Sequence, residues 1–223
     1  MSAVSNYDPW ASGGLPYLNV AHICPATRAL GPGLRAVLWV QGCCFDCPGC
    51  IAPDWIPRRI ARLMTPEEAV AQLLAHPQVT GLTFSGGEPM LQAAGLAAVA
   101  RLARRRRELS IICYTGFTLE QLRARPPGPG VEDLLGEIDV LIDGPYVAAL
   151  NDRRGLRGSA NQRVHHLTDR LRGFDFERAP RRIEIHLRDD YALLVGIPTS
   201  EQLKAFEQAF ERAIPPSRRT QGG

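Results

Sequence analysis

The alternation of short apolar segments with helical segments constrains the fold of this chain more than any other feature. We predict four core strands from apolar runs with the length and β-branching of buried strands: Leu34–Gln41, Val79–Phe84, Ser110–Tyr114 and Ile138–Ile142. Capping residues and apolar spacing predict helices between them, from Thr65 to about His76, from about Met90 to Arg107, and from Thr118 to Arg125. This order is typical of βαβ units in a parallel sheet. About four units are too few for a complete eight-unit barrel. We therefore expect an α/β fold built as an open or partial (β/α) barrel.

Three regions are expected along the chain. A polar N-terminal arm at residues 1–17 precedes the α/β core at residues 18–170, which starts with a further strand at Leu18–Ile23. Residues 171–223 are a short C-terminal α+β extension, predicted as two strands and a helix: Arg182–Leu187, Tyr191–Val195 and Ser200 to about Ala213. This extension either adds to the core or completes its sheet.

Composition excludes several classes of protein. The 223 residues are 45% apolar and 22% charged, as in soluble globular proteins. No run approaches the roughly 18 apolar residues of a membrane span, and residues 1–14 show no secretory signal. We therefore expect a cytoplasmic protein without a membrane partner. The formal charge is only +3. The run Arg104–Arg107 lies at a predicted helix end without interleaved aromatics, so nucleic acid is not an expected partner.

The cysteines carry the chemical signal. Cys43, Cys47 and Cys50 have the spacing Cys-x3-Cys-x2-Cys and follow the first core strand, at the end where α/β folds place their chemistry. A closed zinc or iron–sulfur site usually takes four ligands. Three thiolates in one tight loop would instead hold three irons of a 4Fe-4S cluster and leave the fourth open. Two alternatives remain: a zinc site completed by Cys44 or Cys24, and a redox pair drawn from Cys43, Cys44 and Cys47.

A second motif ends the next core strand, at Ser85-Gly86-Gly87-Glu88-Pro89. Its glycines permit close approach of the backbone to a ligand, and Glu88 offers an anionic acceptor for an ammonium group. A Gly-Gly turn before a helix is also common without any function. Asp143, Tyr114 and Thr115 stand at further strand ends, where they either line a site or cap a turn.

Together, the cysteine loop and the Ser85–Pro89 motif resemble those of the radical S-adenosylmethionine enzymes. Within that superfamily the chain is most similar to the activating proteins of anaerobic ribonucleotide reductase and, more loosely, to other glycyl-radical activases. The similarity continues, in the same order, through further segments: Gly31–Arg35, Cys47–Cys50, Tyr114–Gly116, Val140–Gly144, Arg157–Gln162 and Val164–Leu167. Residues 51–53, Ile-Ala-Pro, depart from the family pattern, and the extension exceeds the short activating proteins.

The resemblance implies a radical S-adenosylmethionine type of partial barrel with two cofactors, a 4Fe-4S cluster and S-adenosylmethionine. Cys43, Cys47 and Cys50 would ligate iron. Gly49, Cys50 and Ile51 would contact the adenine side of S-adenosylmethionine through their backbone, and Ser85, Gly87 and Glu88 its methionine side.

The resemblance also implies the reaction and its partners. An external electron donor such as flavodoxin or ferredoxin would reduce the cluster, and S-adenosylmethionine would be cleaved to methionine and a 5'-deoxyadenosyl radical. That radical would install a glycyl radical on a partner such as anaerobic ribonucleotide reductase. Two other functions stay open: a radical enzyme acting on another peptide or a small molecule, and a zinc-stabilised interaction module.

Overall fold

A seven-stranded mixed sheet forms the centre of the protein, with the strand order β3-β1-β2-β4-β5-β6-β7. The computed structural model describes residues 17–188 and 191–213, so residues 1–16 of the predicted arm, Asp189, Asp190 and residues 214–223 lie outside the described part. The strands of this sheet are β1 (Leu18–Thr27), β2 (Arg35–Val40), β3 (Leu63–Met64), β4 (Gly81–Gly86), β5 (Ser110–Tyr114), β6 (Val140–Asp143) and β7 (Arg163–His166).

The four predicted core strands are confirmed as β2, β4, β5 and β6, which pair in parallel and in sequence order. The sheet as a whole is not parallel, because β1, β3 and β7 pair antiparallel at its two sides. The connection from β1 to β2 passes through the Gly31-Pro32-Gly33 turn, which is too short for the crossover that parallel pairing requires. The fold is therefore mixed α/β, and the described residues form no closed barrel.

Five α-helices are described: α1 (Pro66–Leu73), α2 (Ala93–Arg106), α3 (Leu119–Ala124), α4 (Val131–Glu137) and α5 (Ser200–Ala213). The first starts with the capping box that its sequence predicts, in which Thr65 and Glu68 accept each other's backbone N–H. The short α4 was not predicted, since it follows a Pro- and Gly-rich loop and itself contains Gly136. No helix in the described ranges is long and apolar enough to cross a membrane.

The two faces of the sheet are covered by different parts of the chain. Side chains alternate along a strand, so Ala36, Leu38 and Val40 of β2 join the main core, where α1, α2 and α4 pack. Val37 and Trp39 face the other way and pack against the C-terminal extension. There the extension forms a separate antiparallel hairpin, β8 (Ile183–Leu187) and β9 (Ala192–Gly196). It does not complete the central sheet but covers its second face.

Arg35 joins strands β2, β4 and β5 near their amino ends. Its side chain is fully buried, and burial lowers its pKa to about 9. The guanidinium donates to neutral acceptors of four residues: Pro32, Leu82, Thr83 and Ser110. A Cβ at Gly31 would lie 2.5 Å from Arg35 Cδ, and one at Gly81 would lie 2.3 Å from its Nη1. These glycines are therefore needed to accommodate the arginine.

Candidate functional site

A cavity opens at the carboxyl ends of the parallel strands, where ligand sites of open α/β sheets lie. About 1060 Å³ of space lies between its walls, a figure that includes open solvent. The lining residues from the predicted motifs are Cys43, Cys47, Cys50, Ile51, Ser85, Gly86, Gly87 and Glu88. Two sequence motifs some forty residues apart therefore share one cavity.

Backbone hydrogen bonds hold the ends of the cysteine loop, residues 42–56. The N–H of Gly42 donates to the Trp55 carbonyl at 2.8 Å, and that of Cys43 donates to the Ile56 carbonyl at 2.9 Å. Inside the loop, the Phe45 ring packs edge-on against Phe117, with centroids 4.9 Å apart. The loop thus extends over the ends of β2 and β5 and keeps its thiols at the cavity.

The thiols of this loop have the chemistry of iron–sulfur ligands. Burial raises the pKa of Cys43 to about 12, although the Phe45 N–H opposes that shift by donating to its Sγ at 3.3 Å. A bound metal deprotonates its thiol ligands, and hydrogen bonds to sulfur tune an iron–sulfur centre. In the described part of the chain, no three His, Cys, Asp or Glu side chains converge closely enough to hold one metal ion. A multi-iron cluster does not need that convergence, because each thiolate binds a different iron. Three cysteine side chains of one loop at one cavity are the donor set for three irons of such a cluster.

The Gly-Gly turn packs directly on the start of the cysteine loop. Gly87 N–H donates to the Val40 carbonyl, and Glu88 N–H donates to the Gly42 carbonyl, both at 2.8 Å. A Cβ at Gly87 would lie 2.1 Å from the Gly42 oxygen, so no other residue fits there without displacement. The glycines are thus required for contact between the two motifs, besides any approach to a ligand.

Glu88 is buried at the back of the cavity with its carboxylate held by the protein. One oxygen accepts from Met90 N–H at 2.9 Å and from the Thr115 hydroxyl at 2.8 Å, and the other accepts from Gly116 N–H at 2.8 Å. Burial raises its pKa to about 7, although these hydrogen bonds oppose the shift. A carboxylate offers about four acceptor positions. One position therefore has no donor among the described residues.

Of the other residues predicted at the site, some line the cavity and others stabilise the fold. Tyr114 and Thr115 line the cavity, whereas Gly49 and Asp143 are not among the lining residues. Asp143 is fully buried and serves the framework, accepting from Leu119 N–H at 2.6 Å and pairing with Arg163 and His165 at 2.7 and 2.9 Å.

Sequence reasoning missed most of the cavity's other walls. Tyr146, Asn151, Gly158 and Gln162 line it from the region after β6, and Gly196, Ile197 and Pro198 line it from the extension. Tyr146 follows a predicted strand end at Asp143-Gly144-Pro145, which is a usable signal. Nothing in the local sequence of the extension marks it as part of a site, because its contribution is backbone and apolar side chains.

Comparison with known proteins places the chain in a family. A protein-family model described as a 4Fe-4S single cluster domain matches residues 29–165, which include the cysteine loop. The anaerobic ribonucleoside-triphosphate reductase-activating protein of Enterobacteria phage T4 is 31% identical over 159 residues, 68% of this chain and 96% of that protein. The protein of the same name from Vibrio cholerae is 34% identical over 162 residues, 68% of this chain and 99% of that protein. The chain belongs to this family of activating proteins.

A more distant relative agrees with that membership. The pyruvate formate-lyase-activating enzyme of Staphylococcus epidermidis is 41% identical over 68 residues, which are 28% of this chain and 27% of that enzyme. The activating-protein relatives are covered almost end to end, whereas about a third of this chain lies outside the match. The cavity-lining segment Gly196–Pro198 comes after the region that the family model matches.

Proposed function

We propose that this protein is a glycyl-radical activase, an iron–sulfur enzyme that installs a glycyl radical on a partner enzyme such as anaerobic ribonucleotide reductase. Its cofactors are a 4Fe-4S cluster and S-adenosylmethionine. The observation that supports this function is the single cavity shared by three cysteine side chains and the Ser85–Glu88 motif. The names of the relatives, activating proteins for anaerobic ribonucleoside-triphosphate reductase and for pyruvate formate-lyase, favour a protein substrate.

Each motif has a distinct task in this reaction. The thiolates of Cys43, Cys47 and Cys50 hold the cluster. A reduced cluster bound by them would supply the one electron needed for reductive cleavage of S-adenosylmethionine to methionine and a 5'-deoxyadenosyl radical. The backbone of Gly49–Ile51 contacts the adenine side. Ser85, Gly87 and Glu88 hold the methionine side, and the free acceptor position of Glu88 receives its ammonium group.

Apolar side chains form part of the cavity wall. Leu30, Trp39 and Ile197 line the same cavity, and all three are less than a tenth exposed. Exclusion of water prevents side reactions of a reactive intermediate.

We further propose that the sheet is a partial barrel of the radical S-adenosylmethionine type. In that arrangement residues 18–170 are the core, with an arm at 1–17 and an extension at 171–223, and the open side of the barrel admits a loop of the partner. A cytoplasmic flavodoxin or ferredoxin supplies the electron.

Anaerobic reconstitution with iron and sulfide tests the proposal. Wild-type protein is expected to bind about four irons and four sulfides per chain and to cleave S-adenosylmethionine when reduced. Cys47→Ala is expected to lose both properties. Cys44→Ala is the matched control, because Cys44 lies in the same loop but outside the cavity lining, and it should retain them. Stoichiometric zinc without cleavage would instead support an interaction module.

The partner claim needs its own measurement. Reduced protein mixed with S-adenosylmethionine and a glycyl-radical enzyme of the same genome should give a glycyl-radical electron spin resonance signal. Cleavage of S-adenosylmethionine without that signal, for every such enzyme the genome encodes, would contradict the activase function and favour action on another peptide or a small molecule.

A further inference from the structure

The C-terminal extension contacts the cavity wall that follows β6. We call residues 144–162 the wall loop, because Gly144, Tyr146, Asn151, Gly158 and Gln162 of this segment line the cavity. The Leu156 N–H donates to the carbonyl of Phe176 in the extension at 2.7 Å. A Cβ at Gly155 would lie 2.4 Å from the same carbonyl oxygen. The wall loop is thus packed tightly against a segment that lies beyond the family match.

Arg181 is the main polar link between the extension and the wall loop. Its side chain is only 9% exposed, and its nearest carboxylate oxygen, on Asp152, is 4.0 Å away. The guanidinium donates to Arg157 O at 2.6 Å, to Asn151 Oδ1 at 2.9 Å and to Gly155 O at 3.1 Å. Longer contacts reach the carbonyls of Arg154 and Gly158. A planar group with five N–H donors can make such a set of bonds, whereas a lysine ammonium cannot.

The link continues from Asn151 to the cysteine loop. The Asn151 amide donates from Nδ2 to the Tyr146 hydroxyl at 3.3 Å. The Tyr146 ring lies 3.8 Å from where a Cβ on Gly49 would stand. Arg181, Asn151 and Tyr146 thus form a chain of contacts from the extension to the cysteine loop at Gly49.

We propose that Arg181 is a positioning residue, which holds Asn151, and through it Tyr146, against the cysteine loop on the cavity wall. The expected effect on the reaction rests on the proposed function, whereas the positioning of Asn151 and Tyr146 by Arg181 does not. Displacement of a wall by even 1 Å is enough to lower the rate of a positioned reaction by up to about a hundredfold. The extension therefore contributes to the site through one largely buried arginine side chain, in addition to the Gly196–Pro198 segment.

Steady-state cleavage of S-adenosylmethionine by reconstituted variants tests this role. Arg181→Lys and Asn151→Ala are each expected to lower kcat/KM about tenfold or more, with iron content unchanged. The kcat/KM of the double variant is expected to be no lower than that of the less active single variant, because the effects of residues in one chain of contacts are not additive. Arg182→Ala is the matched control, an exposed arginine next in sequence, and should retain wild-type kcat/KM. The proposal would be overturned if the two single losses in kcat/KM multiplied in the double variant, or if Arg181→Lys retained wild-type kcat/KM.

A second measurement does not depend on catalysis. Trypsin cuts after arginine, and Arg153 and Arg154 are exposed in the wall loop. In cluster-free protein, Arg181→Lys should speed cleavage there, while Arg182→Ala should not. Asn151→Asp retains an acceptor for Arg181 but loses the donor to Tyr146, so it should keep the trypsin resistance and lose activity. If no variant, wild type included, cleaves S-adenosylmethionine, the proposed function fails. The trypsin result still decides whether Arg181 holds the wall loop, and unchanged cleavage in Arg181→Lys would refute it.

Discussion

Glu88 shows how a single residue can serve both the fold and the site. Its carboxylate joins the ends of β4 and β5 by accepting from Thr115 and Gly116, and it lines the cavity at the same time. Burial raises its pKa from 4.5 to about 7. Because the folded state then holds a proton that the unfolded state has released, the stabilisation is present below pH 4.5 and is lost as the pH rises to about 7.

Replacement of Glu88 by Gln should remove this pH dependence. The free energy of unfolding of wild type relative to Glu88→Gln is expected to fall by roughly 3 kcal/mol between pH 4.5 and 7.5. Urea unfolding of the cluster-free proteins at several pH values measures the difference. Glu132→Gln, at an exposed carboxylate of α4, is measured alongside as the control for the same substitution. A difference that stays constant across this range would mean that Glu88 is ionised throughout it in the folded protein.

Among the elements, the two loops at the ends of β2 and β4 behave as one unit, because Gly87 lies against Gly42. We expect Gly87→Ala to separate the Gly-Gly turn from the cysteine loop, since its Cβ would lie 2.1 Å from a backbone oxygen. The expected result is a lower iron content after anaerobic reconstitution and desalting, measured per chain.

The same substitution at another glycine provides the comparison. A Cβ at Gly136 of α4 would meet nothing within 4 Å. Gly136→Ala should therefore keep the full iron content and raise the free energy of unfolding by about 0.5–1 kcal/mol, as expected inside a helix. Full iron content in Gly87→Ala would show that contact between the loops is not needed for cluster binding.

For the whole molecule, the extension and the sheet share two apolar clusters. Val195 and Ile197 pack with Val37 and Trp39, and Phe176 packs with strand residues of β5 and β6. Phe176 is 2% exposed, so Phe176→Ala should cost about 3–5 kcal/mol. Because these clusters join the extension to the sheet, we expect Phe176→Ala to unfold in a single transition at a lower denaturant concentration than wild type. Circular dichroism measures this transition.

Leu187→Ala in the same extension is the matched control. This side chain is 72% exposed, and its loss should change the free energy of unfolding by no more than about 0.5 kcal/mol. Two separate transitions in Phe176→Ala, with the earlier one at the wild-type midpoint of the sheet, would show that the extension folds independently.

Local sequence patterns were sufficient to predict many of the strands and helices. The four parallel strands were identified because buried strands are short apolar runs, and α1 because Thr65 and Glu68 form a capping box with nearby backbone. The short antiparallel β7 and the helix α4 were missed, since four and seven residues carry too little periodicity to be distinguished from loop. The antiparallel pairing of β1 could have been read from the short turn that connects it to β2.

The sequence by itself determined the ligand chemistry, because the spacing of Cys43, Cys47 and Cys50 and the Gly87-Glu88 pair are local properties of the chain. It also indicated the strand ends at which they stand. Only the tertiary structure decided which other groups meet them. Asp143 forms hydrogen bonds within the fold and does not line the cavity. Ile197 lines the cavity and Arg181 bonds to the wall loop, although both lie more than 100 residues after the cysteine loop in the sequence. Such contacts depend on packing between distant segments, and neither an apolar side chain nor a single arginine shows in its own sequence what it will contact.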